Sequence, residues 1–227
     1  MSEESMSDTA SLYFQSVVIT GVFLLLNGLP KFETHDLARF FVYLALGMLS
    51  ATWKVRLPRI QATVSPVFAF VLIGIASFPL GQALLLGCLP ALVQSVWKTR
   101  TKPSFAKSAF SVCAVASGVV FAYGPPHFLI ARGLAAVPLM LPFAAVIFWI
   151  VNAGLVGGLT SLVSDAPFPG VWRALNRHLL GFYIAGGLVA ALVITVDRLW
   201  GWQWGALVIP ALYVASHRYR AAIEAGT

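Results

Sequence analysis

Four histidines (His35, His127, His178 and His217) and two cysteines (Cys88 and Cys113) are the residues best suited to metal, redox or proton chemistry in this chain. Their spacing argues against all three. The histidines fall in loops or at the ends of apolar runs. The cysteines lie inside apolar runs, with neither a CxxC pair nor a neighbouring histidine. No metal site and no cofactor is expected. No catalytic residue is expected either, because the chain has no HExxH, no GxSxG and no pair of intramembrane aspartates. An enzyme is therefore not the reading. An ionisable residue inside a membrane marks function by default, yet no Asp, Glu, Lys or Arg lies well inside any apolar run. Asp197 and Arg198 stand together at a boundary. This argues against an ion-coupled pump, which needs a buried carboxylate unless broken helices supply carbonyls instead.

Neutral polar groups are what remain for binding. Asn27, Ser65, Gln82, Gln94, Tyr123, Asn152 and Tyr183 are the ligand-binding candidates. Asn152 is the most deeply placed amide, and Gln94 comes next. In hydrocarbon each such group wants a partner. Two uses are open: hydrogen bonds from helix to helix, or a mostly apolar pocket with a few convergent polar groups.

The elements that would position these residues follow from composition. The chain has 227 residues, 59 % hydrophobic and only 10 % charged, with mean hydropathy +0.85. Soluble domains carry about 25 % charged residues, so much of this surface must face lipid. Net charge is +7, but the basic residues gather at the ends of apolar runs. That suits headgroup anchoring and not a nucleic-acid face.

The expected fold is an all-α polytopic membrane bundle of about eight spans, with six or seven left open by the short fourth and eighth. Apolar runs lie at about 12–29, 37–53, 60–78, 82–97, 108–123, 134–162, 179–196 and 205–216. Residues 1–11 read as an acidic unstructured terminus or tag remnant, since SLYFQS at Ser11–Ser16 resembles a protease-cleavage tag. Residues 12–216 read as one membrane domain and 217–227 as a cytoplasmic tail. Phe78-Pro79-Leu80-Gly81 divides the stretch from Lys54 to Arg100 into a hairpin, because Pro fixes φ and Gly relaxes it. Gly124-Pro125-Pro126 reads as a loop. Val171–His178 reads as a short interfacial helix.

Charge bias orients that count. With both termini in the cytoplasm, inside loops hold Lys54, Arg56, Arg59, Lys98, Arg100, Lys102, Lys107, Arg173, Arg177, Arg218 and Arg220. Outside loops hold only Lys31, Arg39, Arg132 and Arg198. Six of the tryptophans sit at expected interfaces, and the group Trp200, Trp202 and Trp204 is the one where a ligand could stack. Small residues at four-residue spacing, Gly154 with Gly158 and Gly186 with Ala190, are candidates for close helix packing.

The run Lys54-Val-Arg-Leu-Pro58, with Ser65, Phe68, Gly87-Cys88 and Ala91-Leu-Val-Gln94, resembles the multi-span sensor region of bacterial cyclic-di-GMP signalling proteins. These are the membrane-bound HD-GYP phosphodiesterases and GGDEF cyclases. Phe148-Trp-Ile-Val-Asn152, Phe182-Tyr183 and His217-Arg-Tyr-Arg220 are similar too. Arg59 stands where the family often has Gly, and no output domain is expected within these 227 residues. The resemblance implies a sensor in the bacterial inner membrane that binds a small, largely apolar molecule or responds to membrane state. It implies signal leaving through the last helix, to a cytoplasmic signalling domain or within a homodimer. The breaks between spans also look like those of the substrate-binding subunits of vitamin-type importers, which is the alternative reading. An integral membrane enzyme comes third.

Overall fold

The computed structural model describes residues 7–53, 55–56, 63–64, 66–97, 105–132 and 137–210. Within them the chain is helical, apart from one two-residue antiparallel ribbon. Helix α1 is Asp8–Gly28, α2 Leu37–Ala51, α3 Val67–Ser77, α4 Leu80–Val96, α5 Phe105–Ala131, α6 Val137–Ser164 and α7 Phe168–Trp200. A last helix, α8, covers 202–210. Strands β1 (Val55–Arg56) and β2 (Thr63–Val64) pair between α2 and α3.

Among the described residues four helical stretches, not eight, are long and apolar enough to cross a membrane: Asp8–Lys31, Phe105–Leu129, Leu141–Ser164 and Tyr183–Trp200. Helices α2, α3 and α4 have 15, 11 and 17 residues. At about 1.5 Å per residue they reach only ~22, ~16 and ~26 Å, against a hydrocarbon core of ~30 Å. The count of eight, and of six or seven, is overturned, and the loop assignment built on it loses its basis. Hydropathy adds up apolar residues whatever their conformation. Here the ribbon takes up residues before α3, Pro66 starts that helix, and the Phe78-Pro79 break ends it. Apolar character also has a second cause. Eight of the eleven α3 residues are buried, and a helix that is hydrophobic all round belongs in a core. Helix α3 packs against α2, α4, α5, α6 and α7, so protein rather than lipid covers it.

Two local expectations also fail. Helix α5 continues through Pro125 and Pro126 instead of breaking into a loop. Each proline removes one backbone donor, a loss that membrane helices tolerate better than soluble ones. Val171–His178 is not a separate interfacial helix but the first part of the continuous α7. The break before α7 falls at Asp165–Pro167, within the connection 163–170 between the sixth and seventh apolar runs.

Helix α1 starts at Asp8 with Ser7 accepting a capping bond from the Ala10 N–H. The Leu12–Ser16 stretch is built into the bundle. The Tyr13 hydroxyl donates to the Leu155 carbonyl at 3.1 Å, and Phe14 stacks on Phe110 at 5.7 Å. Large apolar side chains such as Ile19, Phe23, Leu26, Phe121, Ile184 and Leu188 lie exposed on the outside. An apolar exterior of this extent matches lipid as its surroundings. The chain is a hydrophobic, membrane-spanning helical bundle.

Candidate functional site

The charged cluster of this bundle joins the start of α2 to the last turn of α7. Arg39 and Tyr43 are four residues apart on α2, hence on one face. Asp197 approaches that face from α7. The Arg39 Nη2 lies 2.8 Å from Asp197 Oδ2, and the Tyr43 hydroxyl donates to Asp197 Oδ1 at 2.6 Å. The Asp197 side chain is 4 % exposed and that of Arg39 21 %. Arg39 also lies 3.7 Å from Asp36 and stands over the Phe78 ring, 5.0 Å from its centroid. Its buried Nε has no hydrogen-bond partner, so the ring face is the compensation on that side of the guanidinium. Burial, then the hydrogen bond and charge of Asp197, push the Tyr43 phenol well above its ordinary range. It therefore stays a donor.

Two glycines make this arrangement fit. Gly201 ends α7 at φ +98, a conformation open to glycine, and turns the chain into α8. Gly205 then passes directly over the carboxylate. A Cβ there would overlap Asp197 Oδ1 and come within 2.8 Å of the Tyr43 oxygen.

Beside the cluster lies a partly open cavity of about 390 Å³. Arg39, Asp197 and Arg198 supply its charge. Ala76, Ser77, Ile194, Gly201 and Trp202 complete the wall. The volume is that of a small-ligand site. Both Asp197 oxygens are engaged, whereas Arg198 has no ion-pair or hydrogen-bond partner among the described residues.

None of the six candidates among the described residues lines this cavity. Asn152 and Tyr183 come together elsewhere, in the middle of α6 and α7, where Asn152 Nδ2 donates to the Tyr183 oxygen at 3.2 Å. Phe68 packs edge-on against Tyr183 at 4.5 Å and touches Phe148. Gln82 is fully buried at the start of α4 and donates to the Glu33 carbonyl at 3.0 Å, while its Oε1 has no partner. Asn27 is exposed and bonds back to the Phe23 carbonyl of its own helix. Tyr123 stacks on His127 at 3.8 Å. Gln94 is half-buried near the end of α4, and Ser65 lies outside the described residues. So do most of the basic cluster 54–59, Lys98–Lys102, His217, Arg218, Arg220 and the tail 217–227.

Of the packing candidates, Gly158 lies under the Tyr13 ring and Gly186 against Phe68, both too close for a Cβ without a shift. Ala190 is fully buried. Gly154 has Trp172 no nearer than 3.9 Å. Among the described residues no group of three or more His, Cys, Asp or Glu could hold a metal ion.

Sequence reading missed the Arg39–Tyr43–Asp197 cluster because it put Asp197 at a helix boundary and Arg39 in a loop. Two signals pointed to it: an aspartate abutting an apolar run, and an Arg and a Tyr at i, i+4 spacing. Comparison with family models, with curated proteins and with solved structures finds no match. Nothing in those comparisons ties the chain to the HD-GYP or GGDEF proteins.

Proposed function

We propose that this bundle is a membrane-embedded ligand-binding module of the sensory kind, not an enzyme. The observation that carries the reading is the 390 Å³ cavity at the junction of α2, α3, α7 and α8. Trp202 and Gly201, which lead into α8, belong to its wall. An occupant would therefore bear on the position of the chain's last described helix, and a change there is a means of passing signal onward. The resemblance in Lys54–Pro58 and Ala91–Gln94 to cyclic-di-GMP sensor regions supports the same reading. A non-catalytic role is supported by the geometry of Asp197, which has a guanidinium on one oxygen and a phenol on the other and ties α7 to α2.

Replacing Ile194 with Trp would fill the cavity from α7. The test compares thermal unfolding of wild-type and Ile194→Trp protein in lipid nanodiscs across a panel of small amphiphiles. A ligand at about a hundred times its Kd adds roughly 2.7 kcal/mol to stability. Stabilisation of the wild type by some member, lost in the filled variant, is the expected result. A panel that leaves both proteins unchanged, or shifts both alike, rejects the reading.

A further inference from the structure

We propose that the cavity selects amphiphiles with an anionic head, a carboxylate or phosphate on a short apolar body. This rests on the ligand-binding reading above and narrows it. Three groups on the wall carry charge. Asp197 and Arg39 neutralise each other at 2.8 Å, and Tyr43 occupies the remaining carboxylate oxygen. The carboxylate is thus already neutralised and bonded at both oxygens, which leaves it a weak attraction for a cationic head. Arg198 also lines the cavity, and among the described residues nothing pairs with it. The unneutralised charge of the cavity is therefore one guanidinium, which forms its strongest hydrogen bonds with carboxylates and phosphates. Ile194, Ala76 and the Trp202 ring provide the apolar side. Exposed Trp200 and Trp204 flank the same turn, and tryptophan favours the headgroup level of a bilayer. A head held at Arg198 could thus belong to a free acid or to an anionic lipid. The recognising chemistry is the same.

The test uses the full chain labelled with 5-fluorotryptophan in phosphatidylcholine nanodiscs, with the Trp202 resonance assigned through Trp202→Phe. Octanoate and octanol are titrated separately. Octanoate is expected to move the Trp202 resonance saturably, with octanol about ten- to a hundredfold weaker, the span of one charge-assisted hydrogen bond. Arg198→Gln should bring the two ligands level, and Arg198→Lys should restore part of the gap. Circular dichroism of each variant checks the helical bundle, which an exposed residue such as Arg198 should leave intact. Nanodiscs containing phosphatidylglycerol form the second arm. A shift of Trp202 there without added octanoate, abolished by Arg198→Gln, identifies a lipid head as occupant and supports the same chemistry. Octanol binding as tightly as octanoate overturns the anionic preference while leaving the cavity a ligand site. No saturable shift with octanoate, octanol or phosphatidylglycerol overturns both readings.

Discussion

The bundle ties its helices together in two chemically different ways. Near one end, α2 and α7 are joined by full charges, with Arg39 and Tyr43 on Asp197. In the middle, α6 and α7 are joined by neutral groups, with Asn152 on Tyr183 and aromatic rings around them. Depth explains the difference. A charge in the hydrocarbon centre costs several kcal/mol, whereas one near a helix end can reach polar surroundings. A neutral amide needs only one partner to be tolerated. The charged tie also leaves room beside it, since its cavity opens at the end of α7, whereas Gly186 brings α7 against Phe68 at the middle. The proposed site therefore lies at the end, and the close helix packing in the middle.

The largest effect should come from cutting the charged tie. Asp197→Ala leaves Arg39 with only Asp36 at 3.7 Å and the Phe78 ring, and removes the Tyr43 acceptor, which should cost about 3 kcal/mol in denaturant unfolding of the purified protein. Replacing the pair together, Arg39→Met with Asp197→Leu, should recover much of that loss. If the double variant is as unstable as the single, the ion pair is not what holds α2 to α7. Crowding the same spot comes next. Gly205→Ala places a methyl on the Asp197 carboxylate, and overpacking of this kind costs about 1–3 kcal/mol. Gly154→Ala, with 3.9 Å to its nearest neighbour, is its control and should be close to neutral.

The neutral tie should be weaker. Tyr183→Phe keeps the ring and removes the oxygen that accepts from Asn152, so a loss of about 0.6–2 kcal/mol is expected from measured hydrogen bonds between membrane helices. A loss equal to that of Asp197→Ala would erase the contrast between the two regions. The smallest effect belongs to Asn27→Leu. This exposed amide bonds only within its own helix, and its replacement should stay within about 0.5 kcal/mol. A Gln94→Leu variant adds a functional control. It should leave binding of the anionic amphiphile unchanged, because Gln94 does not line the cavity.

Much of the architecture could be read from residue order. Apolar runs located every long helix, and the tight break at Phe78-Pro79 was placed correctly because Pro and Gly act locally. The number of spans was not legible. An apolar run does not say whether lipid or protein will cover it, and α3 is apolar because five other helices do. Nor does a Pro-Pro pair announce that it will be carried inside α5. The amides were found in the sequence, but the pairing of Asn152 with Tyr183 was not, because it depends on how α6 and α7 are rotated against each other.

By itself the sequence determined that this is a membrane bundle of helices whose centre carries no full charge, since composition and hydropathy are properties of the chain. Only the tertiary structure decided that Arg39, Tyr43 and Asp197 meet. Their contact spans 154 and 158 residues, and Gly205 is small enough to let α8 pass over the carboxylate. The uncommitted Arg198 beside that cluster is likewise a product of packing. A guanidinium becomes a candidate site only once its neighbours have been assigned to each other.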